Sequence, residues 1–160
     1  MTFKISVCSV VLALVLSGGT PHAAEETGSY YASLKSNEVN MRESPTANSR
    51  IKWVYRRKGL PMEVLASFEV WRRVRDMDGE IGWVHVALLS RDRTVVIEPG
   101  EDTPVYRRPD AESDIVAEAK PGAIAKLMGC SKLACQVKFD QATGWVERAR
   151  LWGVRDGADF

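Results

Sequence analysis

Apolar and polar residues alternate over short stretches through most of this chain, and Pro, Gly and Asp interrupt the stretches repeatedly. Met62-Glu63-Val64 and Arg72-Arg73-Val74-Arg75 carry the period of two that turns one face of a strand inward. Asp78-Gly79 is a hairpin signal. This pattern predicts strands over residues 38–42, 51–56, 62–67, 71–76 and 80–84, with a last piece of the same unit near 94–97. Val86-Ala87-Leu88-Leu89 reads as a single helical turn, being short and set between two strand-like runs. No segment keeps a helical period beyond a turn or two, so the predicted class is all-β.

The pattern occurs twice. Gly82-Trp83-Val84 closes the first copy and Gly144-Trp145-Val146 the second. Aligned on these tripeptides, Gly59-Leu60-Pro61-Met62 meets Gly122-Ala123-Ile124-Ala125, and Arg42-Glu43-Ser44-Pro45 meets Tyr106-Arg107-Arg108-Pro109. The intervals from Pro45 to Gly59 and from Pro109 to Gly122 differ by one residue. A self-similar unit of about 60 residues indicates a tandem of small β-domains rather than one large core. The turn-rich stretch 98–102 is the natural boundary, giving units over 30–97 and 102–155 that lie close enough to touch. Domains this small bury only about 60% of the surface their unfolded chain exposes. Mutual packing offsets that deficit, and a barrel-like closure would remove free strand edges.

Several spaced motifs agree on a family. Asn40-Met41-Arg42-Glu43-Ser44-Pro45, Gly59, Trp71-Arg72-Arg73-Val74-Arg75, Asp78-Gly79 and Gly82-Trp83-Val84-His85 together resemble the bacterial SH3-like domain family. The run from Trp53 to Pro61 is similar to a subfamily found as tandem pairs in exported alpha-proteobacterial proteins. In that subfamily the second domain often holds a Cys pair near the positions of Cys130 and Cys135 and ends like Leu151-Trp152-Gly153. The likeness covers roughly residues 30–155. It implies two tandem SH3-like five-stranded barrels at or near the cell envelope. Members are commonly attached to cell-wall hydrolases, where the barrel recognises peptidoglycan or a peptide. The second copy departs from the pattern, with Ala134 in the place of Trp71.

The ends and the composition bear on compartment. Lys4, an apolar run over residues 5–16 and the small, polar stretch 17–24 have the layout of a secretory signal peptide, cleaved after Ala23 or Ala24. A run of twelve residues is too short to span a bilayer core, which needs about 20, so no stable membrane insertion is expected once the signal is removed. The chain beyond Ala24 carries 21 basic and 21 acidic residues. That balance, with export, disfavours nucleic acid as a partner. After processing only Cys130 and Cys135 remain. They flank a four-residue hairpin connection that would place them within disulfide range, and closing so short a loop stabilises by about 2 kcal/mol. A metal pair would need more ligands, and C-x₄-C is not the redox spacing C-x-x-C.

Candidate chemistry is sparse. His85 is the one histidine after residue 24, and carboxylate pairs such as Asp76 with Asp78 sit in turns. No phosphate loop or metal-ligand cluster is apparent, so neither an enzyme nor a cofactor is expected. Binding is better supported. If Val74 faces the core, Trp71, Arg73 and Arg75 share one face, with Tyr55, Arg56 and Arg57 bordering it. An outward Trp beside guanidinium groups is a platform for a peptide or glycan. The other reading makes Trp71 a lid on the core and the arginines solvated surface. Trp83 and Trp145 are expected to pack inside, and Tyr30 and Tyr31 to form a first strand. The expected partner is peptidoglycan or an envelope peptide, bound without catalysis mainly through the first barrel; the alternative is a periplasmic adaptor for another protein.

Overall fold

The computed structural model describes residues 28–155, so the export segment predicted over residues 1–24 lies outside the described residues. Two antiparallel seven-stranded sheets of the same strand order follow one another along the chain. The first contains β1 (Tyr30–Leu34), β2 (Val39–Arg42), β3 (Ile51–Tyr55), β4 (Pro61–Phe68), β5 (Trp71–Arg75), β6 (Ile81–His85) and β7 (Leu89–Ser90). The second contains β8 (Thr94–Ile97), β9 (Thr103–Tyr106), β10 (Ile115–Ala119), β11 (Ile124–Cys130), β12 (Ala134–Lys138), β13 (Thr143–Glu147) and β14 (Leu151–Trp152). The all-β tandem predicted from the repeat is what forms. Among the described residues no helix is long and apolar enough to cross a membrane.

Each unit therefore has two strands more than the expected five. In the first unit these are β1, where Tyr30 and Tyr31 do begin a strand, and the two-residue β7, which pairs with it. The predicted helical turn is a 3-10 turn, Val86–Leu88, and His85 caps it by accepting the Ala87 N–H on Nδ1 at 3.1 Å.

One assignment moves between units. Thr94–Ile97, expected to finish the first unit, instead pairs with β11 and β14 as the opening strand of the second sheet. The chain thus passes between sheets at residues 91–93, ahead of the turn-rich stretch 98–102. Burial gives the reason. Val95, Val96 and Ile97 are all essentially inaccessible, so both faces of this strand are covered. Val95 and Ile97 belong to the second core, while Val96, on the opposite face, is outside that cluster.

The two cores are separate. Leu34, Val39, Met41, Met62, Val64, Val74 and Val84 form the first, and Val95, Ile97, Val105, Leu127, Val137, Val146 and the Cys130–Cys135 pair belong to the second. The cysteines are in register across the β11–β12 hairpin and are bonded, with a Cα separation of 4.0 Å. Closure is incomplete, contrary to the sequence expectation. Within the described residues β3 pairs only with β2, and β10 only with β9, leaving each at the end of its sheet. Alternation places Val84 and Val146 inward with no exposed surface. The glycines two residues before them lie on that same inner side, where another strand crosses closely. A Cβ on Gly144 would stand 2.6 Å from both the Tyr106 carbonyl oxygen and Val105 Cγ1. Gly144→Ala is therefore expected to lower stability by roughly 1–3 kcal/mol. Gly129→Ala, where an added methyl would meet nothing within 4 Å, should be close to neutral. Urea denaturation of the two variants measures the difference.

Candidate functional site

Strand alternation in the first unit selects which side chains face out. With Gly82 and Val84 inward, Ile81, Trp83 and His85 of β6 face outward. On β2, Val39 and Met41 are buried and Asn40 and Arg42 are turned out. On β5, Val74 is buried while Arg73 and Arg75 are exposed. Register then aligns these residues across the sheet. Trp83 is opposite Arg42 on one side and Arg73 on the other, so one row reads Arg42, Trp83, Arg73. Directly opposed side chains in antiparallel strands have Cβ atoms about 4.5–5.5 Å apart. The indole is thus flanked by two guanidinium-bearing side chains.

The next row toward the 3-10 turn pairs Trp71 with His85, their rings edge to face at 5.4 Å. Phe68, opposite Trp71, meets Trp83 edge to face at 6.4 Å. Trp71, His85, Asn40, Arg42, Ala47 and Leu88 line a cleft of about 150 Å³, room for one side chain or a few atoms of a larger ligand. Arg42 also ties the loop above this cleft, donating to the Ser49 carbonyl at 2.6 Å. Because His85 Nδ1 accepts a backbone N–H, the neutral ring carries its proton on Nε2.

The predicted platform is thereby corrected in two places. Trp71 is only 8% exposed and does not display its ring. It is buried yet lies outside the first core cluster, and the His85 ring meets it edge to face. Trp83 and Trp145, expected inside, are partly exposed and belong to neither core cluster, since glycine and valine occupy the inward positions beside them.

The remaining predicted residues do not gather around Trp71. Arg73 is exposed and shares its face. Arg75 pairs instead with Glu63, Nε to Oε2 at 3.0 Å, and the pair lines a cleft with Tyr31, Val154 and Arg155 where the units meet. Arg57 extends toward Gly122 of the second unit, with its Nη1 3.7 Å from where a Cβ would stand there. Arg56 pairs with Glu38 at 2.9 Å on an exposed surface. Tyr55 packs against the first core and donates its hydroxyl to Asp76 Oδ2 at 2.7 Å. Asp76 follows β5 at the end opposite Trp71, about 17 Å away along the strand. Sequence reasoning passed over Arg42 and treated Trp83 as packing. Extending the alternation rule through Met41-Arg42 and Gly82-Trp83-Val84 would have found both.

The second unit keeps the scaffold but changes the chemistry. Trp145 is flanked in register by Tyr106 and Gln136, where the first unit has Arg42 and Arg73. Ala134 is opposite Glu147, replacing the Trp71–His85 pair. The doubly cationic row is therefore a property of the first unit.

This geometry is that of a small β-module repeated twice, and the sequence agrees. The chain belongs to the Bacterial SH3 domain family, which matches it at residues 35–91 and again at 100–153. No curated protein matches it. Among solved structures it is similar to NlpC2 from Trichomonas vaginalis at 13% identity, covering 85% of this chain and 52% of that one with a TM-score of 0.38. It is also similar to NlpC1 from the same organism at 14% identity, covering 88% of this chain and 50% of that one with a TM-score of 0.35. The chain spans about half the length of these structures.

The Tyr55–Asp76 contact yields a measurable consequence. Burial first, and then the bond to the Asp76 carboxylate, push the Tyr55 phenol well above its ordinary value. Unfolded Tyr55 loses its proton near pH 10, whereas the folded residue keeps it. The resulting stabilisation is complete below about pH 10 and is lost progressively as pH rises above that value. Tyr55→Phe should flatten this alkaline decline, measured as the difference in urea midpoint between pH 8 and pH 11. An unchanged slope would show that the hydroxyl is not held as described.

Proposed function

We propose that this protein is an exported, non-catalytic binding protein that recognises a carboxylate-bearing ligand of the cell envelope through its first barrel. Peptidoglycan peptides or an extended envelope peptide fit that chemistry. The observation that carries this reading is the Arg42–Trp83–Arg73 row, replaced by Tyr106, Trp145 and Gln136 in the second barrel. Guanidinium groups pair bidentately with carboxylates, and the indole between them offers apolar area for a sugar or aliphatic side chain. Arg73 is exposed and makes no ion pair within the described residues, so it is free to engage a ligand. The Trp71–His85 cleft beside the row would take one further group, with His85 Nε2–H as a donor.

A recognition role without bond-making is supported by the fate of the nucleophile candidates. Cys130 and Cys135 are bonded to one another in the second core, in the opposite barrel from His85. The bridge also suits an oxidising compartment such as the periplasm, in keeping with the predicted export signal.

Retention on purified cell wall tests the proposal. Native protein should be retained; Arg73→Ala should weaken retention about tenfold through the loss of one charge-assisted contact, and Trp83→Ala by about as much through the loss of apolar contact area. Gln136→Ala in the second barrel should leave retention unchanged. Equal retention of all four proteins would remove the row as the site. Co-purification of a defined protein with no wall retention would favour the adaptor role instead.

A further inference from the structure

Each sheet ends in a strand paired on one side only, and both of these edge strands expose apolar side chains. On β3, Ile51, Trp53 and Val54 are 43%, 50% and 40% exposed. On β10, Ile115 and Val116 are 56% and 38% exposed. The other two sheet ends, β7 and β14, are only two residues long. Exposed apolar edges offer unpaired backbone groups to another chain, and proteins ordinarily blunt them with charge, proline or cover. Here the charges differ between the two edges. Residues 50–58 contain Arg50, Lys52, Arg56, Arg57 and Lys58 with no acid, whereas residues 110–118 contain Asp110, Glu112, Asp114 and Glu118 with no base.

We propose that the protein self-associates edge to edge, β3 of one molecule adding antiparallel to β10 of a second copy. In that alignment the basic run after β3 approaches the acidic run before β10, and the Lys52 end approaches Glu118. Internal ion pairs reduce this complementarity without cancelling it. Arg50, Lys52 and Arg56 are held by Glu43, Glu80 and Glu38, and Asp110 and Asp114 by Arg108 and Arg107. Among the described residues Lys58 makes no ion pair beside one edge, and Glu112 and Glu118 make none beside the other, with Lys120 the nearest opposite charge to Glu118. Pairing β3 with β3 would bring basic runs together, and β10 with β10 acidic ones, so like charges disfavour both symmetric joints. Joining unlike edges leaves a free β10 on one copy and a free β3 on the other. Reciprocal pairing closes a dimer, and one-sided pairing extends a chain. This interaction does not depend on the ligand face formed by β2, β6 and β5.

Sedimentation of the purified protein should give a mass that rises with concentration, to a dimer or beyond. Trp53→Asp puts an acid on β3 and Ile115→Lys a base on β10. Both positions are exposed, so each variant should keep the native fold by circular dichroism. Each variant alone should lose the concentration dependence. An equimolar mixture should recover a 1:1 complex, because each variant retains the edge the other lacks. A wild-type protein that stays monomeric, a single variant that still associates, or a mixture that stays monomeric would overturn the proposal.

Discussion

The arrangement of this molecule depends on one buried seam, where β1 and β4 of the first sheet meet β8 and β14 of the second. Pro61, Met62, Glu63 and Val64 are all buried, as are Val95, Val96 and Ile97. Both faces of each run are covered, because one side of each strand serves its own core and the other serves the seam. Two hydroxyls at its centre carry the polar bookkeeping. Ser33 Oγ donates to the Asp92 carbonyl at 2.5 Å, and Thr94 Oγ1 donates to the Gly59 carbonyl at 2.6 Å. The two hydroxyl oxygens also lie 2.6 Å apart, so two protons serve three close contacts and one of them is shared. Tyr31 meets Trp152 edge to face at 5.2 Å alongside. The seam gives each small unit the apolar cover that about 60 residues cannot supply alone.

Within each unit, the close approach at Gly82 and Gly144 decides which face carries chemistry. A Cβ at Gly82 would stand 2.5 Å from Met41 Cγ and Sδ and 2.8 Å from the Arg42 carbonyl oxygen. That contact fixes glycine inward and therefore sends the following tryptophan outward. The scaffold turns a partly exposed indole outward in both barrels; the residues opposite it are free to vary. Arginines flank it in one unit, tyrosine and glutamine in the other. The shared packing thus comes from the closing tripeptide, and the divergence from the residues on neighbouring strands that face its tryptophan.

Much of the architecture could be read from the chain. Five strands of the first unit fell within a residue or so of their expected limits, because Pro, Gly and Asp mark the turns and the alternation is local. The cysteine pair followed from hairpin register. Thr94–Ile97 was assigned to the wrong unit, since an apolar run of this kind does not reveal which sheet it joins. The candidate site was less legible. Placing Trp71, Arg73 and Arg75 on one face was sound alternation, yet exposure depends on what stands opposite. His85 packs edge to face against the buried Trp71, and Glu63 takes Arg75. Tyr55 is near Arg57 in sequence but turns toward Asp76, a contact across 21 residues that no local pattern announces.

The two barrels fasten the corresponding hairpin end by different means. In the first, two edge-to-face ring pairs, Trp71 with His85 and Phe68 with Trp83, lie at the outer end of β4, β5 and β6. In the second, the covalent link between Cys130 and Cys135 secures the end of β11 and β12, beneath a surface where alanine has replaced the indole. Sensitivity to thiol reductants is therefore lodged in one half of the molecule. A reducing environment would slacken the barrel without the arginine pair and leave the aromatic clasp of the other intact.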